Sequence, residues 1–222
     1  MGDYYVNTYD QGTEEWLNAR KGRITMSNAY AATGNSRFST KDDIADESCK
    51  IKEKIFDEKQ TKSMRRGSMM ESIARKFYED KTKNIVCEVG LGIRKALSPY
   101  IGGSPDGLVG DDGLIEIKNP DFMYQKVALQ QRYRTLGIES ENFDHIWPSH
   151  YAQMQGNMAI FGRKWCDYIV YVSSDDCIIE RIPFDDIYWS NFLLPHLNKF
   201  VETFLIPRIE KFNIDVNFPV DI

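Results

Sequence analysis

Leu114-Ile115-Glu116-Ile117-Lys118 sets isoleucine against charge at alternate positions. A period of two belongs to a β-strand, whose successive side chains point to opposite faces. Ile115 and Ile117 then enter a core, while Glu116 and Lys118 share the other face. Asn119-Pro120 ends the strand, because proline cannot donate to the ladder. Just upstream, Ser104-Pro105-Asp106-Gly107 reads as a turn in which proline fixes the approach, glycine frees the exit, and Asp106 is displayed at a strand end. A core strand needs neither two carboxylates nor an ammonium near one sheet edge. The fold must therefore build a sheet and leave that edge for chemistry.

The rest of the chain changes period around this point. Before it, Thr13 caps a short helix that begins at Glu14-Glu15-Trp16-Leu17, and Thr25 or Ser27 starts a second. Ser39-Thr40 opens a longer charged helix to about Lys59. Gly67 to about Lys81 carries Met70, Ile73, Ala74 and Phe77 on one apolar face. Strands follow at Ile85 to Val89, Gly92 to Arg94 and Tyr100 to Gly103, then at Leu114 to Lys118. A helix near Phe122 to Gln131 leads into an acidic loop from Gly137 to Trp147, with its charge between Glu139 and Asp144. Pro148 opens a helix to about Phe161. Asp167 to Val172 and Ile178 to Phe184 are strands, and Asp185 onward is helix to about Phe212, interrupted at Pro195 and Pro207. This order predicts an α/β or α+β fold with a mixed central sheet of about five strands flanked by helices. No repeat or long linker divides the 222 residues, which suffice for one buried core. The expectation is a single domain: an N-terminal helical segment of about 1–60, a core of about 61–184 and a C-terminal helix of about 185–214.

Several function classes fall away. The apolar runs are far shorter than the roughly 20 residues of a membrane span, and no charged start precedes an apolar stretch. The expected location is cytoplasmic, not secreted and with no membrane partner. Cys49, Cys87, Cys166 and Cys177 are scattered and read as reduced thiols. His145, His150 and His196 form no ligand pair, so carboxylates would have to hold any metal, which favours Mg²⁺ or Mn²⁺ over zinc. A formal charge of −5 argues against a basic coat for DNA, yet Arg20, Lys21 and Arg23, and then Lys62, Arg65 and Arg66, form local positive clusters.

Asp106, Glu116 and Lys118 suit phosphodiester hydrolysis. Carboxylates hold one or two metal ions, the ions lower the pKa of a bound water, and the lysine orients that water or stabilises developing charge. The Ile117 carbonyl lies between the two charged residues and offers a further hard ligand. Glu71, beside the apolar helix face, can complete the shell. Pro105-Asp106 with Glu116-x-Lys118 resembles the signature of the PD-(D/E)XK nuclease superfamily. More specifically, the chain resembles the phage lambda exonuclease family, a viral recombination branch of it. The resemblance runs through Trp16-Leu-Asn-Ala-Arg20-Lys-Gly22-Arg-Ile24-Thr25-Met-Ser27, Arg66-Gly67-x3-Glu71, the Ser104 to Gly107 turn, Glu116-Ile117-Lys118 and Ala152-Gln153-Met-Gln155. It covers residues 16 to about 161.

The resemblance implies a Mg²⁺-dependent exonuclease with two ions, Mn²⁺ substituting, that degrades one strand of linear duplex DNA from 5′ to 3′. It implies Asp106, Glu116 and Glu71 as metal-shell carboxylates, to which the strand adds the Ile117 carbonyl, with Lys118 as the catalytic lysine and Gln153 as a group that positions the scissile end. Arg20 and Ser27 would grip the terminal 5′-phosphate, a task suited to a guanidinium fork. The chain departs from the family in being more basic at Lys62-Ser-Met-Arg65-Arg66, where Arg65 and Arg66 would track the DNA backbone. A homo-oligomer in the form of a trimeric ring and a single-strand annealing partner are implied as well. Trp16 and Trp147 are either core residues or stacking platforms for bases. Two other readings of the residues stay open: an endonuclease with the same chemistry, and a DNA-end-binding recombination protein without catalysis.

Overall fold

The structure, a computed structural model, describes residues 4–6, 9–51, 58–94, 96–120 and 146–216. The sequence readings of a helix near Phe122 to Gln131 and of an acidic stretch from Glu139 to Asp144 lie outside these residues. A five-stranded mixed sheet forms the centre, in the order β3-β6-β7-β8-β9. Its strands are β3 (Val86–Cys87), β6 (Gly107–Val109), β7 (Gly113–Lys118), β8 (Trp165–Ser173) and β9 (Asp176–Pro183). Only β7 and β8 run parallel, and the chain between them includes helix α5 (Pro148–Phe161). All the other neighbouring pairs are antiparallel.

The sheet therefore has the expected size with a different membership. Residues 92–94 form β4, which pairs with β1 (Tyr4–Val6), and residues 101–102 form β5, which pairs with β2 (Ile24–Thr25). Their place in the sheet is taken by β6, whose Gly107 closes the turn read from sequence and whose other two residues were assigned to no strand. Gly107 correspondingly has another purpose than the one expected. Its φ is not left-handed. A Cβ there would collide with Val86 on β3, so glycine lets the two strands approach.

Helices cover both faces. Ile115 and Ile117 face α4 (Glu58–Thr82), packing with Ala74 and Tyr78. Leu114 faces α5 and packs with Met154 and Met158. The alternation seen in the sequence thus divides β7 between two cores. α4 is already helical at Glu58, so Gly67 sits in mid-helix and does not open it. The helix expected from Ser39 to Lys59 is shorter: α3 (Lys41–Ser48) opens on a capping box in which Thr40 and Asp43 exchange hydrogen bonds.

The largest core joins the N-terminal segment, α5 and the C-terminal helical stretch, through Ile24, Met26, Ile44, Ile160, Leu193, Leu197, Phe200 and Leu205. Pro195 and Pro207 do not interrupt that last stretch. Residues 186–211 remain helical, with π-turns at Trp189–Leu193 and Val201–Leu205 just before each proline. A proline supplies no N–H and crowds the carbonyl four residues back, and a wider turn relieves both. The residue after each proline then turns its side chain back one helical turn. His196 Nδ1 lies 2.7 Å from the Phe192 carbonyl oxygen, and Arg208 Nη1 donates to the Phe204 carbonyl at 3.0 Å.

Candidate active site

β6 and β7 are antiparallel neighbours with Gly107 opposite Ile115, a register that carries Asp106 alongside Glu116. The Ile117 N–H donates to Asp106 Oδ2 at 2.6 Å, so the aspartate is tied to the strand that carries the other charged groups. Gln11 steadies the approach by donating to the Pro105 and Val89 carbonyls at 2.9 and 3.0 Å. Glu116 and Lys118 share a face as their spacing requires, and Lys118 Nζ donates to Glu116 Oε1 at 2.7 Å. The same ammonium reaches Gln153 Oε1 on α5 at 3.1 Å. Asn157, one turn later, brings its Nδ2 to 3.5 Å from the second oxygen of Glu116. Gln155 serves the fold instead, donating to the Pro183 carbonyl and accepting from the Asp185 N–H.

Glu116 is almost fully buried at 1% exposure. Burial pushes its carboxyl up to about 8; Lys118 pulls it down, while Asp106 and Glu71 push it further up. Burial raises Asp106 as well, against the pull of Lys118. Glu71 is raised by burial and by the charge of Asp106. Burial alone would lower the Lys118 ammonium, but Glu116 and Asp106 more than offset it, so it stays protonated. Asp106 just ahead of β6, Glu116 on β7 and Glu71 on α4 therefore lie near enough for the charge of Asp106 to raise both glutamates.

Among the described residues no three His, Cys, Asp or Glu side chains are gathered to grip an ion as they stand. Each carboxylate is engaged internally: Asp106 by the Ile117 amide, Glu116 by Lys118 and Glu71 by Arg75 at 2.7 Å. The donor chemistry still fits a hard divalent cation. All the available atoms are oxygens, and a cation would offset the burial that raises all three groups and the carboxylate charge that adds to it at Glu116 and Glu71.

A second cluster lies on the N-terminal segment. Arg20 is the C-cap of α1 (Glu14–Ala19), and its guanidinium stacks 4.1 Å from the Trp16 ring centroid. Gly22, at φ +74°, turns the chain back in a conformation that favours glycine. Arg20 Nη2 then meets Thr25 Oγ1 at 2.9 Å and Ser27 Oγ at 3.3 Å. Burial lowers the Arg20 pKa to about 10, opposed by Glu47, so the group is still cationic at neutral pH. The Trp16 indole donates to Ser104 Oγ at 3.3 Å, which joins this cluster to the turn that carries Asp106.

The sequence-derived candidates divide accordingly. Asp106, Glu116, Lys118 and Gln153 converge, with Glu71 at their edge, and Arg20 meets Ser27. Arg65 is exposed on α4. Arg66 donates to the Pro120 carbonyl at 2.9 Å and so anchors the end of β7. Trp16 is a core residue, whereas Trp147 is exposed. Thr25, Ser104, Arg75 and Asn157 were missed as individual site members. Thr25 and Ser104 stood inside quoted motifs, Arg75 stood in a basic pair with Lys76, and Asn157 stood where the superfamily often has a tyrosine; the fold supplies their contacts with Glu71 and Glu116.

A family model for the YqaJ-like viral recombinase domain matches residues 15–164. Among solved structures, the chain is similar to an alkaline exonuclease from Laribacter hongkongensis, with 31% identity, 90% of this chain and 96% of that one covered, and a TM-score of 0.68. The structure of that exonuclease in complex with dAMP gives 30% identity, 90% and 98% coverage and a TM-score of 0.69. A phage-related exonuclease from Haemophilus somnus 129PT shares 15% identity, with 89% and 98% coverage and a TM-score of 0.51, a likeness of fold alone. No curated protein matches the sequence.

Proposed function

This chain belongs to the YqaJ-like viral recombinase domain family, and on that premise we propose that it is a metal-dependent exonuclease that degrades one strand of linear duplex DNA from the 5′ end. The remaining 3′ single strands would serve recombination or repair. The observation that carries this reading is the joining of two clusters. A carboxylate–lysine group on β6 and β7 adjoins an arginine–hydroxyl group, with the Trp16–Ser104 hydrogen bond between them. One group suits a phosphodiester and the other a terminal phosphate, so both would act on one DNA end.

Asp106, Glu116 and Glu71, with the Ile117 carbonyl, would hold Mg²⁺ or Mn²⁺. When bound, such ions lower the pKa of a coordinated water and neutralise charge on the phosphate. Lys118 Nζ, kept protonated by Glu116 and Asp106, acts as a donor: it orients the attacking water and stabilises charge building on the phosphoryl oxygens. Gln153 fixes the position of that ammonium from α5. Arg20 presents its fork to the 5′-phosphate beside the Thr25 and Ser27 hydroxyls. Arg65 lies outside this centre and would follow the duplex backbone by charge alone.

The test uses linear duplexes with 5′-phosphate or 5′-hydroxyl ends, labelled at either end of one strand, together with closed circular DNA. The expected result is loss of the 5′ label first, preference for the phosphorylated end and intact circles. Arg20→Ala should cut the preference for 5′-phosphate by about tenfold or more, the worth of a charge-assisted hydrogen bond. Cleavage of closed circles as readily as linear ends would overturn the exonuclease reading. An unchanged end preference in the variant would remove the phosphate pocket.

A further inference from the structure

Arg75 follows Glu71 by one turn of α4 and has no role in the mechanism above. Its side chain is only 13% exposed. The two terminal nitrogens are divided between carboxylates: Nη2 holds Glu71 Oε1 at 2.7 Å, and Nη1 pairs with Glu88, which follows β3. The Nε–H is buried with no acceptor among the described residues. A guanidinium is a rigid planar fork, so fixing one tine fixes the direction of the other. With Glu88 on one side, Arg75 cannot swing with Glu71. Arg75 occupies one oxygen of that carboxylate, and among the described residues Glu71 makes no other hydrogen bond. Arg75 also lies near enough to Asp106 to lower its pKa.

We propose that Arg75, steadied by Glu88, is the positioning residue for Glu71: it takes one carboxylate oxygen and leaves the other aimed at a divalent cation shared with Asp106 and Glu116. This rests on reading those three carboxylates as the cation-holding set. Groups that orient a ligating carboxylate from behind change metal affinity without touching the ion.

The test is calorimetric titration of Mg²⁺ and Mn²⁺ into DNA-free protein, comparing the natural chain with Arg75→Lys and Glu88→Gln. Melting temperatures are followed alongside. Lysine keeps the charge and loses the fork, and should weaken metal binding about tenfold. Glu88 is 73% exposed, so its replacement leaves the fold intact. It should weaken binding about threefold, the scale of an exposed ion pair. If the natural chain binds ions and both variants bind them equally well or more tightly, Arg75 is a structural residue and the proposal fails, even if melting shifts. If the natural chain takes up no ion, the carboxylate-site reading itself fails.

Discussion

Glu116 is a carboxylate whose burial makes its charge costly by more than Lys118 recovers. Its folded pKa of about 8 stands above its ordinary value of 4.5. Between those values the folded chain binds a proton that the unfolded chain has released. The group's contribution to stability is thus greatest at acid pH and falls as pH rises through that window. Asp106 and Glu71 are shifted the same way and add to the trend. Melting in the presence of a chelator should show stability falling from about pH 5 to 8, by up to about 1.4 kcal/mol per pH unit for each proton. Added Mg²⁺ should recover most of the loss, and Glu116→Gln should flatten the profile. A metal-free profile that rises over that range would contradict the burial argument. At this scale the sequence was most legible where the spacing was short. Glu116 and Lys118 share a face because a strand has a period of two. The pairings of Asn157 with Glu116 and of Ser104 with Trp16 span 41 and 88 residues, a distance that no local pattern covers.

α4 shows how an element can be read in type and misread in extent. Its second half buries Ala74 and Tyr78 and carries an apolar pattern, whereas Arg65, Ser68 and Met69 of its first half are exposed. The hydrophobic pattern therefore begins late, and Gly67 looked like a start. In the structure a Cβ at Gly67 meets nothing, so no packing demands glycine there. Gly67→Ala should accordingly stabilise the protein by about 0.5–1 kcal/mol through the lower entropy of the unfolded chain. Denaturant unfolding would check this, and a loss of stability would show that the helix is not continuous through residue 67. β6 was missed for a different reason. It is three residues long, begins with glycine, and is a strand only because β3 and β7 flank it. The prolines of the last helical stretch were over-weighted, since a π-turn and a back-bonded side chain accommodate each of them.

Across the whole molecule, the order of periods was enough for a mixed sheet between helices, but not for which strands enter it. That choice depends on pairings between distant segments, such as Ile24 with Ile101 in the small parallel sheet outside the main one. The same long-range assembly builds the candidate site. The N-terminal segment brings Arg20 and Ser27, the sheet brings Asp106, Glu116 and Lys118, and α5 brings Gln153. Arg208 fastens the C-terminal stretch to α3 through Asp42 and Asp46 at 2.6 Å each, which keeps the N-terminal segment against the common core. The central claim is that these groups together hydrolyse DNA from an end. The most direct measurement is digestion of 5′-phosphorylated linear duplex with and without Mg²⁺, comparing the natural chain with Lys118→Ala and measuring DNA binding in parallel. The account predicts Mg²⁺-dependent loss of linear DNA by the natural chain, and a fall of about 10²-fold or more in the variant with binding retained, the scale for removing a donor aimed at transition-state charge. Undiminished cleavage by Lys118→Ala, or no cleavage by the natural chain with Mg²⁺ or Mn²⁺, would contradict it.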